Sequence, residues 1–337
     1  MSVLVSELQQ QLRERSVRKL VVIADATVSA LYPHYWDALS PEFSTMLIEV
    51  PAGEASKSIA QAERLWRQLL DAQCDRQVFI LNFGGGMICD LGGFVAATYK
   101  RGVRFVNCPT TLLAMIDAAV GGKNGINMQH VKNCIGAFSQ PEFEMPCDLS
   151  FLLTLPEEEL LNGFGEMIKY AIMDAPSFFS ELEVIGHLTP KDIQPGWIDK
   201  CISIKHEFVK RDPYDRHDRH VLNLGHTCGH ALESLFAEEG RPVAHGEAVA
   251  LGLFYESRLM AQIGNCPKEV AERVERLVRR HYCVPTFTED EVRRLVDFMQ
   301  QDKKNERGRI NFVKLCGIGQ VSPDCSVEPD LCNGIFR

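Results

Sequence analysis

Three short segments in the second half of the chain carry residue types that hold cations and move protons. Residues 163–169 read Gly-Phe-Gly-Glu-Met-Ile-Lys, so Glu166 and Lys169 stand three apart on one face of an apolar helical run. Residues 223–230 read Asn-Leu-Gly-His-Thr-Cys-Gly-His, which puts His226 and His230 at i and i+4, again on one face. His245-Gly246-Glu247 opens a further helical run. A glutamate with two histidines and one open position suits a catalytic zinc or a similar divalent ion. Each piece also has a plainer reading. Glu166 and Lys169 could form an ordinary helix ion pair, and a histidine on an apolar face can be a satisfied core residue. Their density favours a site, as does the glycine beside each histidine, which weakens a helix that only had to pack.

A second candidate lies in the first half, where Phe83-Gly84-Gly85-Gly86 separates a strand-like run from a helix-like one. Glycines there let the backbone approach a ligand, and the N–H groups of a helix start attract phosphate. The pattern is not GxGxxG, so the dinucleotide fingerprint does not apply, and simple packing would also explain the glycines. Asp90, one turn on, could meet ribose or nicotinamide groups or merely favour the helix N-terminus. Gly53, Glu54 and Lys57 form a polar loop after a strand, in isolation a solvated turn.

The elements that must position these residues change character along the chain. Strands are expected at 20–24, 45–50, 78–81 and 103–108, alternating with helices at 59–70, 87–99 and 111–120. Such alternation implies crossovers and a mostly parallel sheet covered by helices. Pro156 followed by Glu157, Glu158 and Glu159 is a helix start, and helical periodicity then runs to Val296, broken by Pro176, Pro195, Pro213 and Pro242. A last apolar run at 310–315 reads as a strand. The expected fold class is an α/β domain over residues 1–150 with a mostly parallel sheet, then a largely α-helical domain over 151–337.

Bulk properties narrow the function. The 337 residues are 45% hydrophobic and 24% charged, as in ordinary globular domains. A net charge of −9 argues against nucleic acid as a partner, so any anionic substrate needs locally concentrated cations. No apolar run approaches the ~20 residues of a membrane span, and residues 1–14 do not read as a secretory leader. The 12 cysteines are scattered without a CxxC pair; Cys89, Cys108 and Cys134 sit in apolar segments and are expected as small core residues, reduced in a cytoplasmic protein.

Taken together, the motifs resemble those of the 3-dehydroquinate synthase family. They are Gly84-Gly85-Gly86-Met87-Ile88-Cys89-Asp90-Leu91, Arg101-Gly102-Val103-Arg104-Phe105, Pro109-Thr110-Thr111-Leu112-Leu113 and Asp117-Ala118-Ala119-Val120-Gly121-Gly122-Lys123. Further along come Lys132-Asn133 with Gly136-Ala137-Phe138, then Gly165-Glu166-Met167-Ile168-Lys169, Asn223-Leu224-Gly225-His226-Thr227, His245-Gly246-Glu247-Ala248-Val249 and Asp302-Lys303-Lys304. They occur in that family's order from about Asp25 to Val321. The chain departs from the pattern at Ala118-Ala119, where serine is frequent, at residues 127–131, and at Cys228, where an aromatic is usual.

The resemblance implies an NAD-binding α/β domain and a helical metal-binding domain. It implies Glu166, His226 and His245 as ligands of zinc or cobalt. Asp25, Glu54, Lys57, Gly84, Gly85, Gly86, Asp90, Thr110, Thr111, Asp117, Lys123, Lys132, Phe151, Thr154 and Leu155 are implied as NAD contacts. The implied substrate contacts are Arg101, Lys123, Lys132, Asn133, Lys169, Arg219, Asn223, His230 and one of Lys303 or Lys304. Lys169, His230, Asn223, Asp117 and Lys123 are the implied catalytic residues, and Arg101 is implied to reach a neighbouring subunit in a homodimer. The implied reaction turns 3-deoxy-D-arabino-heptulosonate 7-phosphate, a phosphorylated keto-sugar acid, into 3-dehydroquinate and phosphate. It runs through transient NAD reduction, phosphate elimination, reduction and aldol closure, a lyase step of aromatic amino acid biosynthesis. The alternatives are another sugar phosphate cyclase, a metal-dependent polyol dehydrogenase and a non-catalytic nucleotide-binding protein.

Overall fold

The computed structural model describes residues 3–129, 131–301 and 308–336, and of Trp36 only the backbone. The chain divides into two compact units, Met1–Leu155 and Pro156–Arg337. In the first, strands β1 (Lys19–Asp25), β2 (Ser44–Val50), β3 (Phe79–Gly84) and β4 (Arg104–Pro109) form a parallel sheet in the order β2-β1-β3-β4. Helices α1 (Val3–Glu14), α2 (Ala26–Leu31), α3 (His34–Leu39), α4 (Ile59–Asp71) and α5 (Gly86–Thr98) alternate with them. β1 and β3 are buried along nearly their whole length, as strands covered on both faces must be, and so they read as continuous apolar runs. The core joins Val21, Ile23 and Ile80 of the sheet to Leu65 and Leu69 of α4 and Leu91 and Val95 of α5.

Two expectations fail in this unit. The helix expected at 111–120 is shortened to 112–118, and its last five residues, Ala114–Ala118, form a π turn closed by a bond from the Ala119 N–H to the Ala114 carbonyl at 3.0 Å. Gly121 and Gly122, at φ +93° and +68°, then divert the chain out of helical conformation into an antiparallel hairpin, β5 (Lys123–Met128) with β6 (Val131–Phe138). The second failure is Cys134, which is exposed, whereas Cys89 and Cys108 are buried. β6 has no sheet beyond it, and most of its residues face outwards. An apolar-looking run with no layer above it is a poor guide to burial.

The second unit is helical, as the fold class anticipates: α6 (Glu157–Met173), α7 (Pro176–Glu183), α8 (Pro195–Arg211), α9 (His226–Glu238), α10 (His245–Gln262), α11 (Lys268–His281) and α12 (Glu289–Gln300). A hairpin of β7 (Ile310–Gly317) and β8 (Gln320–Val327) and a short α13 (Pro329–Cys332) follow. Pro176 and Pro195 open α7 and α8, where the missing N–H costs nothing. α10 is buried on almost every face from Ala248 to Met260, which makes it the central post of the unit. α6, α9 and α11 pack against it. No described helix is long and apolar enough to cross a membrane.

Candidate active site

Glu166, His226 and His245 come from three different helices, α6, α9 and α10, and their ligand atoms lie within 4.8 Å of one another. The Nε2 atoms of His226 and His245 stand 3.4 and 3.2 Å from Glu166 Oε1, and Lys169 Nζ stands 2.6 Å from Oε2. Glu166 is wholly buried, yet neither oxygen receives a well-directed hydrogen bond. Its close contacts are ion pairs by distance only. His226 turns Nδ1 to the Leu224 carbonyl at 3.1 Å, and His245 turns Nδ1 to Glu233 Oε2 at 3.5 Å. Both Nε2 atoms are thereby left aimed at the carboxylate. Backing each ligand histidine with an oxygen on its far nitrogen is how proteins orient imidazoles towards a metal. An orphaned buried carboxylate between two such nitrogens fits a divalent cation.

The electrostatics agree. Burial pushes the Glu166 carboxyl up, but Lys169, His226 and His245 outweigh it and hold it well below the usual carboxylate range. Burial likewise lowers His226, with Glu166 opposing. At His245, burial is outweighed by Glu166 and Glu233, which push the imidazole up to about 10.

The glycines beside the ligands now have a cause. A Cβ on Gly165 would lie 1.9 Å from the Gly246 carbonyl oxygen, and one on Gly246 would lie 1.7 Å from that of Asn162. α6 and α10 thus touch backbone to backbone next to Glu166 and His245.

Of the other expected residues in this unit, Lys169 and His230 touch the cluster. Lys169 and Arg219 are buried. Arg219 sits in a loop folded around Asp212, whose Oδ2 accepts from the N–H groups of Arg216, His217 and Arg219 at 2.8, 2.6 and 3.3 Å. His230 is exposed one turn after His226, and the two rings lie 5.3 Å apart edge to face. Asn223 donates to the His220 carbonyl at 3.0 Å. Lys303 and Lys304 lie outside the described residues. Two residues were missed. Lys205 is a third buried cation of this unit, on the stripe Trp197, Ile198, Cys201 and Lys205 of α8. A lysine at apolar spacing was the available signal. Glu233, seven residues after His226, carried no signal beyond being acidic.

In the first unit the chain leaves β1 for β2 on one side and returns to β3 on the other. The strand order therefore switches direction between β1 and β3, and ligands of such sheets bind outside the carboxyl ends there. Those ends are Asp25 and the Gly84–Gly86 turn. Asp25 Oδ1 caps α2 through the N–H groups of Thr27 and Val28. The Gly84 carbonyl accepts from the Thr110 N–H at 3.0 Å, and a Cβ on Gly85 would lie 3.0 Å from Thr111 Cγ2. The buried Lys57 ammonium pairs with Asp90 at 2.5 Å, and Asn127 of β5 donates to Glu54 at 2.8 Å. Asn133 donates its N–H to Asn127 at 2.9 Å. Asp117 lies in the π turn, and Lys123 and Lys132 are exposed on the hairpin. Thr154 meets the Tyr32 hydroxyl at 2.6 Å, and Leu155 ends the unit. The Phe151 ring is shut in an aromatic cluster with Tyr32, Tyr35 and Phe83, so its side chain serves packing. Arg101 is exposed and, with Lys100, held at positive φ.

Sequence comparison bears on both units. The family models for the 3-dehydroquinate synthase N-terminal and C-terminal parts match residues 47–162 and 163–305. A 3-dehydroquinate synthase of Parabacteroides distasonis is 35% identical over 327 residues, covering 96% of this chain and 92% of the relative. The chain belongs to the 3-dehydroquinate synthase family. Solved relatives of this fold include a 2-deoxy-scyllo-inosose synthase complexed with carbaglucose-6-phosphate, NAD+ and Co2+. It has a TM-score of 0.87 at 20% identity, covering 100% of this chain and 95% of that one. Another is the 2-epi-5-epi-valiolone synthase of Streptomyces hygroscopicus with NAD+ and Zn2+, with a TM-score of 0.84 at 26% identity, covering 94% of this chain and 89% of that one.

Proposed function

We propose that the chain converts 3-deoxy-D-arabino-heptulosonate 7-phosphate to 3-dehydroquinate and phosphate, a carbon–oxygen lyase reaction dependent on NAD and a divalent metal. The observation that carries this is the buried Glu166 carboxylate facing two imidazole nitrogens, in a chain whose 3-dehydroquinate synthase relative aligns over almost its whole length. When bound, NAD would accept and return a hydride, and the cation would stabilise alkoxide charge on the substrate. Glu166, His226 and His245 would hold that cation, and the metals found with the solved neighbours, Co2+ and Zn2+, suit such a donor set.

The chain's own residues then divide the remaining tasks. The Gly84–Gly86 turn and the start of α5 receive the dinucleotide phosphates, with Asp25, Glu54, Lys57, Asp90, Thr110 and Thr111 around them. Lys169, Arg219 and Lys205 bring buried positive charge to a carboxylate and a phosphate within a protein of net charge −9. His230, exposed beside His226, exchanges protons with substrate oxygens, and Asn223 orients them. For Asp117, Lys123, Lys132 and Asn133 of the first unit, a part in substrate binding rests on the resemblance to the family alone. The enzyme works as a homodimer in the cytoplasm, where its cysteines, which form no disulfide, stay reduced. Exposed Arg101 reaches the neighbouring subunit.

The test is incubation of pure protein with the keto-sugar acid phosphate, NAD+ and zinc. Phosphate and cyclic product should form in equal amounts without net NADH. NADH accumulating with a simple polyol would instead mark a dehydrogenase. Turnover confined to a sugar phosphate without a carboxylate would mark a different cyclase.

A further inference from the structure

The two histidine-bearing helices begin without caps of their own. α9 follows Gly225, held at φ +80°, and α10 follows Ala244; neither residue offers a side-chain acceptor to the first-turn N–H groups. Such groups need partners when buried, as they are here. Each helix finds them on another ligand helix. Asn162 of α6 accepts through Oδ1 from the Gly246 N–H at 2.7 Å, one residue after His245. Glu256 of α10 accepts through Oε2 from the Gly225 N–H at 2.8 Å and through Oε1 from the Cys228 N–H at 3.0 Å, on either side of His226.

Those last two N–H groups belong to the N-cap and third positions of α9. They are the pair that a capping box satisfies from within one helix. Here one carboxylate, 28 and 31 residues away, does both jobs. Asn162 and Glu256 are both buried, at 8% and 1% exposure, so the bonds are shielded from water. Asn162 is itself steadied by its own Nδ2 donating to Glu159 at 3.0 Å. A buried carboxylate is costly to keep unless its bonds matter, and these two go to the backbone flanking a ligand.

We propose that Asn162 and Glu256 are positioning residues for the cation site: each caps, from one ligand helix, the start of the helix that carries the next ligand. The Glu166 helix sets the His245 helix, and the His245 helix sets the His226 helix. This rests on reading Glu166, His226 and His245 as a cation site. It assigns to two residues outside that set the task of fixing where the two Nε2 atoms point.

The experiment titrates metal-free protein with Zn2+ against a competing chelator and records the visible absorption spectrum of the Co2+ form, which reports ligand geometry. Glu256→Gln and Asn162→Ala should each weaken zinc binding about tenfold or more, within the range seen for outer-shell partners, and should alter the Co2+ bands. Asn162→Asp, which restores an acceptor oxygen, should recover most of the affinity lost in Asn162→Ala. Variants that melt at lower temperature but bind zinc as wild type does, with an unchanged Co2+ spectrum, would overturn the proposal and leave the two residues as plain helix caps. If Glu256→Gln does not fold, the two Asn162 variants decide. Wild-type protein that takes up no zinc would overturn the cation reading itself, a result distinct from variants and wild type binding equally.

Discussion

At the end of β3, three glycines keep side chains off a strand end, whereas around Glu166 glycines draw helices into backbone contact. The first arrangement shapes a strand end, where Gly85 and Gly86 remain partly exposed. The second closes a volume in which Glu166, Lys169 and His226 are buried and committed to one another. A nucleotide site can be made by backbone shape, with phosphates meeting N–H groups that exist in any chain. A cation site needs charged ligands out of water, and their desolvation must be offset by each other and by the ion. The two regions should therefore fail differently when altered.

The largest effect is expected at the cation cluster. His245→Ala, or Glu166→Gln, should reduce phosphate release to background and bring bound zinc, measured by elemental analysis, close to none, with circular dichroism unchanged. Full activity in either would remove the cluster from the mechanism. Next, Lys169→Ala should lower turnover at least about a hundredfold, as for loss of a group acting on substrate protons or charge, while zinc content stays that of wild type. Unchanged turnover would return Lys169 to the status of a helix ion pair.

Gly85→Val tests the other region. The added methyls must meet Thr111, so NAD+ binding measured calorimetrically should weaken about tenfold, or about 1.4 kcal/mol, without loss of zinc. If zinc is lost as well, the contrast between strand end and closed volume does not hold.

The smallest effect concerns the loop that carries Arg219. Burial raises the Asp212 carboxyl, but three backbone N–H bonds outweigh it and bring it to about 2, below its ordinary 3.8. Its contribution to stability is thus fully present above about pH 4 and is lost as pH falls through 2. The gap in thermal midpoint between wild type and Asp212→Asn should narrow from pH 5 to pH 2. A gap that does not change with pH would mean Asp212 holds the loop without its charge.

Much of this was legible before any coordinates. Strands β1 and β3 announced themselves because a sheet covered on both faces demands unbroken apolar runs. Helical spacing, which is local, drew attention to Glu166 with Lys169 and to His226 with His230, but the set Glu166, His226 and His245 came from the resemblance to the family. The β5–β6 hairpin was not legible, since in its outer strand only Ile135 and Ala137 pack against the core, too few to impose a readable alternation. Cys134 was misjudged for the same reason. Lys205 escaped because a lysine on an apolar stripe looks like an interruption until its burial is known.

By itself, then, the sequence determined which donors exist, that glycines flank them, and that one half alternates strand and helix while the other is helical. These are properties of neighbours along the chain. Only the tertiary structure decided that Nε2 of each histidine faces Glu166, that Glu233 backs His245, and that Asn162 and Glu256 cap helices not their own. Gly246 and Asn162 are 84 residues apart, and their bond forms only once α6 and α10 have packed. No local pattern encodes a contact that depends on where two helices come to rest.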